Sequence, residues 1–332
     1  MQAGRPEPAQ REARALAGAT AALAAALMTA APARAEAPAP APAPGPAVPG
    51  PDLATAPGAA PSAAPTAAAG DPVAELGAGG RLRGDEAPGH IAFTFDDGPN
   101  PGTTEAVLDT LAAYDVPGAF FVVSKRLGRK HGEARRAVLA RILADGHLVG
   151  SHSVRHADLA TLDDEALAAE IDGSVATLTE LTGAPIVLFR PPFGSLDPRG
   201  RRRLRQAGLT DVRWNLDPQD FFIPQPGELR AKTSALVSRS RGGILLLHDT
   251  KRATARALPG ILDDLEARNC RHLAAGQALL VPVSLHYFLR DGDTPRPVPP
   301  AVAARTARYQ AALPARCARR AAAEAEATPA AR

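Results

Sequence analysis

Aromatic residues are scarce, 4% of a 332-residue chain, and unevenly placed: none precedes Phe93, and only Tyr309 follows Phe288. Large apolar side chains are what a core is built from, so a packed interior is expected only between about residues 86 and 290. Hydrophobic residues reach 45%, but much of that is Ala. No repeated unit is visible in this region. The basic clusters, Arg126 to Arg136 and Arg199 to Arg205, have no interleaved aromatics. They read as solvated helix faces rather than a nucleic-acid surface, with attraction to an anionic polymer such as cell-wall material as a second option at a net charge of +3. Cysteine is limited to Cys270 and Cys317. In an oxidising compartment they would pair and clip the C-terminal tail to the domain; two unrelated thiols fit the sequence as well.

The only long apolar run is Ala15 to Ala31, preceded by Arg5, Arg11 and Arg14 and followed by Ala33-Arg34-Ala35. This is the pattern of a secretory signal over residues 1–35, with an uncleaved weak anchor or a disordered tail as alternatives. The expected location is the periplasm, the cell envelope or the outside of the cell. No Cys lies near the cleavage point, which disfavours a lipoprotein, and no other stretch is long and apolar enough to span a bilayer. Residues 36–85 are Ala, Pro and Gly with hardly a large side chain, an extended spacer by composition. Residues 291–332 repeat that character as an Ala/Arg/Pro-rich tail, part of it a possible surface helix.

Between the two ends, apolar strand-like runs alternate with amphipathic helical ones. Strands are expected at 91–95, 118–123, 148–152, 186–189, 211–216, 243–248 and 278–283, with helices between them. That alternation predicts an α/β fold with a parallel sheet and outer helices, either doubly wound or closed into a barrel. In such folds chemistry collects at the C-terminal ends of the strands. Asp96 and Asp97 end the first strand, His152 the third with His156 close behind, and Arg190 the fourth. Asp217 and Asp220 follow the fifth, and His248-Asp249 end the sixth.

His152 and His156 are four residues apart, a spacing that in a helical turn puts two imidazoles on one face. With a strand-end carboxylate they make a two-His, one-carboxylate set, for which Zn²⁺ is the default in hydrolysis and Fe(II) the alternative in oxygenases. In Leu245-Leu246-Leu247-His248 the period of two turns Leu246 and His248 to one side. That gives an apolar floor beside a proton donor, although a core strand ending in a solvated histidine fits the same residues.

Five segments taken in order resemble the motifs of the polysaccharide deacetylases, the NodB-homology group or carbohydrate esterase family 4. They are Thr94-Phe95-Asp96-Asp97-Gly98-Pro99, His152-Ser153-Val154-Arg155-His156, Arg190-Pro191-Pro192-Phe193-Gly194, Asp217-Pro218-Gln219-Asp220-Phe221 and Leu245-Leu246-Leu247-His248. The resemblance spans residues 88–285 and implies a distorted (β/α)₇ barrel holding one divalent metal, usually zinc. It implies removal of N-acetyl or O-acetyl groups from a polysaccharide such as peptidoglycan, a chitin-like oligomer or an exopolysaccharide. By that resemblance Asp97, His152 and His156 are metal ligands and Asp96 is the general base, oriented by Arg190. His248 is the general acid, paired with Asp217; the Phe193 N–H serves the oxyanion, and Leu246 lines the acetyl pocket. Phe193 stands where the family often has Tyr, and Phe221 where it usually has Trp, a smaller wall for the substrate groove. A catalytically silent carbohydrate-binding relative is the remaining rival, and its expected mark is loss of Asp96 or His248.

Overall fold

The run around Phe93 becomes an interior strand of a parallel sheet in the computed structural model, which describes residues 76–77, 80–128 and 132–327. The expected signal segment 1–35, and the spacer up to residue 75, lie outside the described residues. In chain order the framework is β1 (Arg81–Leu82), β2 (His90–Asp96), α1 (Thr103–Tyr114), β3 (Gly118–Val122), α2 (Glu133–Ala144), β4 (Leu148–Ser151) and α3 (Asp164–Thr182). It continues with β5 (Leu188–Phe189), α4 (Pro198–Gln206), β6 (Thr210–Val212), α5 (Pro226–Arg239), β7 (Gly243–His248), α6 (Arg252–Ala274) and β8 (Val281–Pro282). Helix starts follow local chemistry. Asp163 caps α3 by accepting from the Ala166 N–H, and Asp197 caps α4 through the Gly200 N–H with Pro198 in its first turn.

The strands run in the order β1-β6-β5-β4-β3-β2-β7, with β8 added at the start of β2, and every pair is parallel. Just past β6, Leu216 bridges Leu245 of β7, and the Leu246 N–H donates to the Leu216 carbonyl at 2.9 Å. One bridge therefore closes the sheet into a barrel, which is why the barrel is distorted. All seven expected strands are present. The fifth is broken, because its pairing passes from β1 and β5 to β7 between Val212 and Leu216.

Short segments beyond both expected domain boundaries pack against the domain. Residues up to 85 do contribute to the core: Leu76 is fully buried, the Thr210 hydroxyl donates to its carbonyl, and Arg81 and Leu82 pair with Asp211 and Val212. Burying one such leucine is worth about 2 kcal/mol, reason enough for so short a segment to dock. At the other end, β9 (Arg290–Asp291) and β10 (Thr294–Pro295) form a small antiparallel ribbon, followed by α7 (Pro300–Ala327). This helix is no loose tail, since Tyr309 and Leu313 are buried and Cys317 is disulfide-bonded to Cys270 of α6. Among the described residues no helix is long and apolar enough to cross a membrane.

Candidate active site

Asp96 and Asp97 leave β2 with different backbone conformations, yet both carboxylates approach His152, whose Nε2 lies 3.7 Å from Asp96 Oδ2 and 3.8 Å from Asp97 Oδ1. Asp96 is the last strand residue, while Asp97 has a left-handed backbone with φ 75°. The turn that follows needs a glycine, because a Cβ on Gly98 would lie 2.1 Å from Oδ2 of buried Asp249. Asp249 in turn accepts from the Thr104 hydroxyl at 2.5 Å. Burial, together with the neighbouring charges of Asp97 and Asp96, pushes its carboxyl up to about 7, although Thr104 and His248 oppose this.

Asp96 is 2% exposed and faces Arg190, whose Nη1 donates to Asp96 Oδ1 and to the Thr94 hydroxyl, both at 2.8 Å. Arg190 is itself fully buried. A buried guanidinium is tolerable only when its donors are used. Here Nε reaches the Val212 carbonyl and the cation sits 4.1 Å from the centre of the Phe121 ring. The result is a carboxylate fixed in one orientation.

His152 and His156 converge, but not through a helical turn as their spacing suggests. The segment between them is a loop with left-handed Ser153 and His156, φ 66° and 62°. Glu170 of α3 organises it. Although 1% exposed, this carboxylate accepts from the backbone N–H groups of Val154 and Arg155 and from Arg155 Nε at 2.6 Å. Glu170 escapes motif reading, but it shares a helix face with Leu167, Ile171 and Ser174. A carboxylate on an otherwise core-facing stripe is a usable signal.

Asp97, His152 and His156 each offer one donor atom, all within 4.8 Å of one another. His156 Nε2 lies 3.4 Å and His152 Nε2 3.8 Å from Asp97 Oδ1. His152 Nδ1 is 2.7 Å from the Arg190 carbonyl, so it carries the proton and leaves the Nε2 lone pair toward Asp97. Burial holds His152 below its ordinary pKa even though Asp96 and Asp97 favour the cation, so its ring is neutral. Two imidazole nitrogens and a carboxylate oxygen fit a borderline divalent ion such as Zn²⁺.

His248 lies beside Asp96 in the β2–β7 register, one strand over. Its partner is Asp220, not Asp217 as expected. Asp220 Oδ1 is 2.7 Å from His248 Nδ1, and its Oδ2 accepts from the His248 backbone N–H and the Thr254 hydroxyl. Asp217 is exposed and accepts from the Gln219 N–H. Left-handed Gln219, φ 60°, reverses the chain between the two acids and turns only the second one inward. Burial opposes a charged His248 most strongly, but the Asp220 hydrogen bond and the charges of Asp220, Asp96 and Asp97 outweigh it and raise the imidazole to about 9.

Above these groups opens a cleft of about 790 Å³ whose lining includes Asp97, His156, Phe193 and Phe221. Phe193, left-handed at φ 57° and 69% exposed, sets its ring edge-on to His156 at 4.6 Å. Leu246 is buried on β7, opposite Thr94 and on the same side of the strand as His248.

The sequence matches the family described as Polysaccharide deacetylase over residues 83–212. It is 34% identical over 160 residues to a chitooligosaccharide deacetylase of Rhizobium leguminosarum bv. trifolii, covering 48% of this chain and 71% of that one. It is 30% identical over 194 residues to a peptidoglycan-N-acetylglucosamine deacetylase of Bacillus cereus, covering 57% and 87%. The solved chitin deacetylase of Colletotrichum lindemuthianum superposes with a TM-score of 0.53 at 28% identity, covering 57% of this chain and 87% of that one. These likenesses leave no place for the Fe(II) oxygenase alternative. The chain belongs to the polysaccharide deacetylase family, hydrolases that act on carbon–nitrogen bonds other than peptide bonds.

Proposed function

We propose that the protein is an exported, metal-dependent N-deacetylase that hydrolyses acetamido groups of a polysaccharide, with Asp97, His152 and His156 holding one divalent ion, Zn²⁺ by donor type. The observation that carries this reading is the convergence of that donor set with an arginine-held Asp96 and a carboxylate-held His248 in adjacent strand register. A bound divalent ion supplies Lewis acidity to water and to the acetyl carbonyl. Asp96, fixed by Arg190, takes the proton of the attacking water. The Phe193 backbone N–H donates to the developing oxyanion, and Leu246 lines the space for the acetyl methyl. His248, charged and held by Asp220, gives its proton to the departing amine, which is otherwise a poor leaving group. The silent-relative alternative loses ground because Asp96 and His248 are both in place.

Relatives named for chitooligosaccharide and for peptidoglycan N-acetylglucosamine favour an acetamido sugar over an O-acetyl ester. Export is supported by the signal-like segment 1–35 and by the Cys270–Cys317 disulfide, which belongs in an oxidising compartment. The test is metal content and acetate release in Asp97→Ala and His152→Ala. Both variants are expected to lose bound metal on dialysis and acetate release with it. Stoichiometric metal retained in either would overturn the ligand assignment.

A further inference from the structure

The cleft above the candidate metal site is strongly one-sided in charge. Lys125, Arg126, Arg135, Arg155 and Lys251 line it, and the only carboxylate in the lining is Asp97. Asp97 belongs to the proposed donor set, so a bound divalent ion would offset its charge. Lys125, Arg126 and Lys251 have no carboxylate partner among the described residues. Lys125 is exposed, and Lys251 Nζ rests 3.3 Å from the centre of the Phe221 ring. Arg155 is held at Nε by buried Glu170, which fixes its stem while the side chain stays 56% exposed. Phe193 and Phe221, 69% and 51% exposed, supply apolar walls between these cations. Walls of this kind suit the faces of pyranose rings, and a neutral glycan would need nothing more. Unpaired cations held in a concave site raise the local concentration of anions, and they do nothing for an uncharged chain.

We infer that the cleft selects an anionic acetylated glycan, one with carboxylates within a sugar or two of the acetamido group to be cleaved, with Lys125, Arg126, Arg155 and Lys251 as the residues that set this preference. The inference rests on the deacetylase reading above and adds the charge of its substrate. Carboxylates on side groups, such as lactyl ethers or peptide stems, and uronate sugars in the backbone share this chemistry.

The experiment measures acetate release by the metal-loaded protein from four substrates. They are a neutral N-acetylglucosamine oligomer, a lactyl-bearing peptidoglycan glycan, the same glycan with its carboxylates methyl-esterified, and an alternating N-acetylglucosamine–uronate oligomer. A carboxylate-bearing glycan is expected to exceed the neutral and esterified ones in kcat/KM by about tenfold or more, and the excess should fade between about 0.05 and 0.5 M salt. Whichever acidic glycan leads identifies the source of the carboxylate. Combining Lys125→Gln, Arg126→Gln and Lys251→Gln should collapse the acidic-to-neutral ratio toward one. Equal turnover of the native and esterified glycans, unaffected by salt, would overturn the charge preference and leave the deacetylase reading standing. That arm uses the unaltered protein and does not depend on the variant folding. No acetate from any of the four would instead overturn the deacetylase reading itself.

Discussion

Asp220, buried beneath His248, and Asp217, exposed three residues earlier, differ in nothing a sequence displays, yet only one can tune the proposed acid. A general acid works in its protonated form, which for His248 exists below about 9, so the rate should fall as pH rises through that value. Asp220→Asn removes the charge that favours the imidazolium and should move this alkaline limb down by about one pH unit or more. Asp217→Asn should leave it in place. His248→Ala should cost about 10² to 10⁴-fold in rate with metal content intact, a magnitude usual for acid–base groups. An unmoved limb in Asp220→Asn would remove Asp220 from its role. Glu170 can be tested the same way: Glu170→Gln weakens the hold on the loop between the two histidines, and metal affinity should drop about 10 to 100-fold, measured by competition with a chelator. Asp96, Asp97, His152, Arg190 and His248 were legible because each sits where a parallel strand ends. Asp220 was not, because one left-handed residue in an aperiodic loop, Gln219, decides which acid points inward.

At the scale of elements, strand–helix alternation was readable because buried parallel strands such as Ile91–Phe95 and Leu245–Leu247 are near-continuous apolar runs between amphipathic helices. The ends of the domain were not. β1 is two residues long, and Leu76 stands alone in an Ala- and Gly-rich stretch, too little for any periodicity to register. Since Leu76 is fully buried, Leu76→Ala should lower unfolding free energy by about 2 to 5 kcal/mol, read from denaturant midpoints. A chain starting at residue 85 should be destabilised further, because it also loses the pairing of β1 with β6. Unchanged stability in that truncation would restore the shorter boundary.

For the whole molecule, the Cys270–Cys317 bond ties α7 to the helix before β8, across 47 residues of sequence. By chain entropy such a cross-link contributes about 4 kcal/mol. Reduction should therefore lower the thermal midpoint, and the Cys270→Ser, Cys317→Ser protein should show the same loss without reductant. Pairing of the two cysteines was open in the sequence, because their separation in space depends on how α7 packs. Tyr309 and Leu313 settle that by burying one face of the helix.

The most direct test is to follow acetate and free amine together while the purified protein acts on an N-acetylated glycan. A metal-dependent N-deacetylase releases the two in equal amounts, stops when a chelator removes the ion, and resumes when Zn²⁺ is returned. Acetate without matching amine, or release indifferent to the chelator, would contradict it.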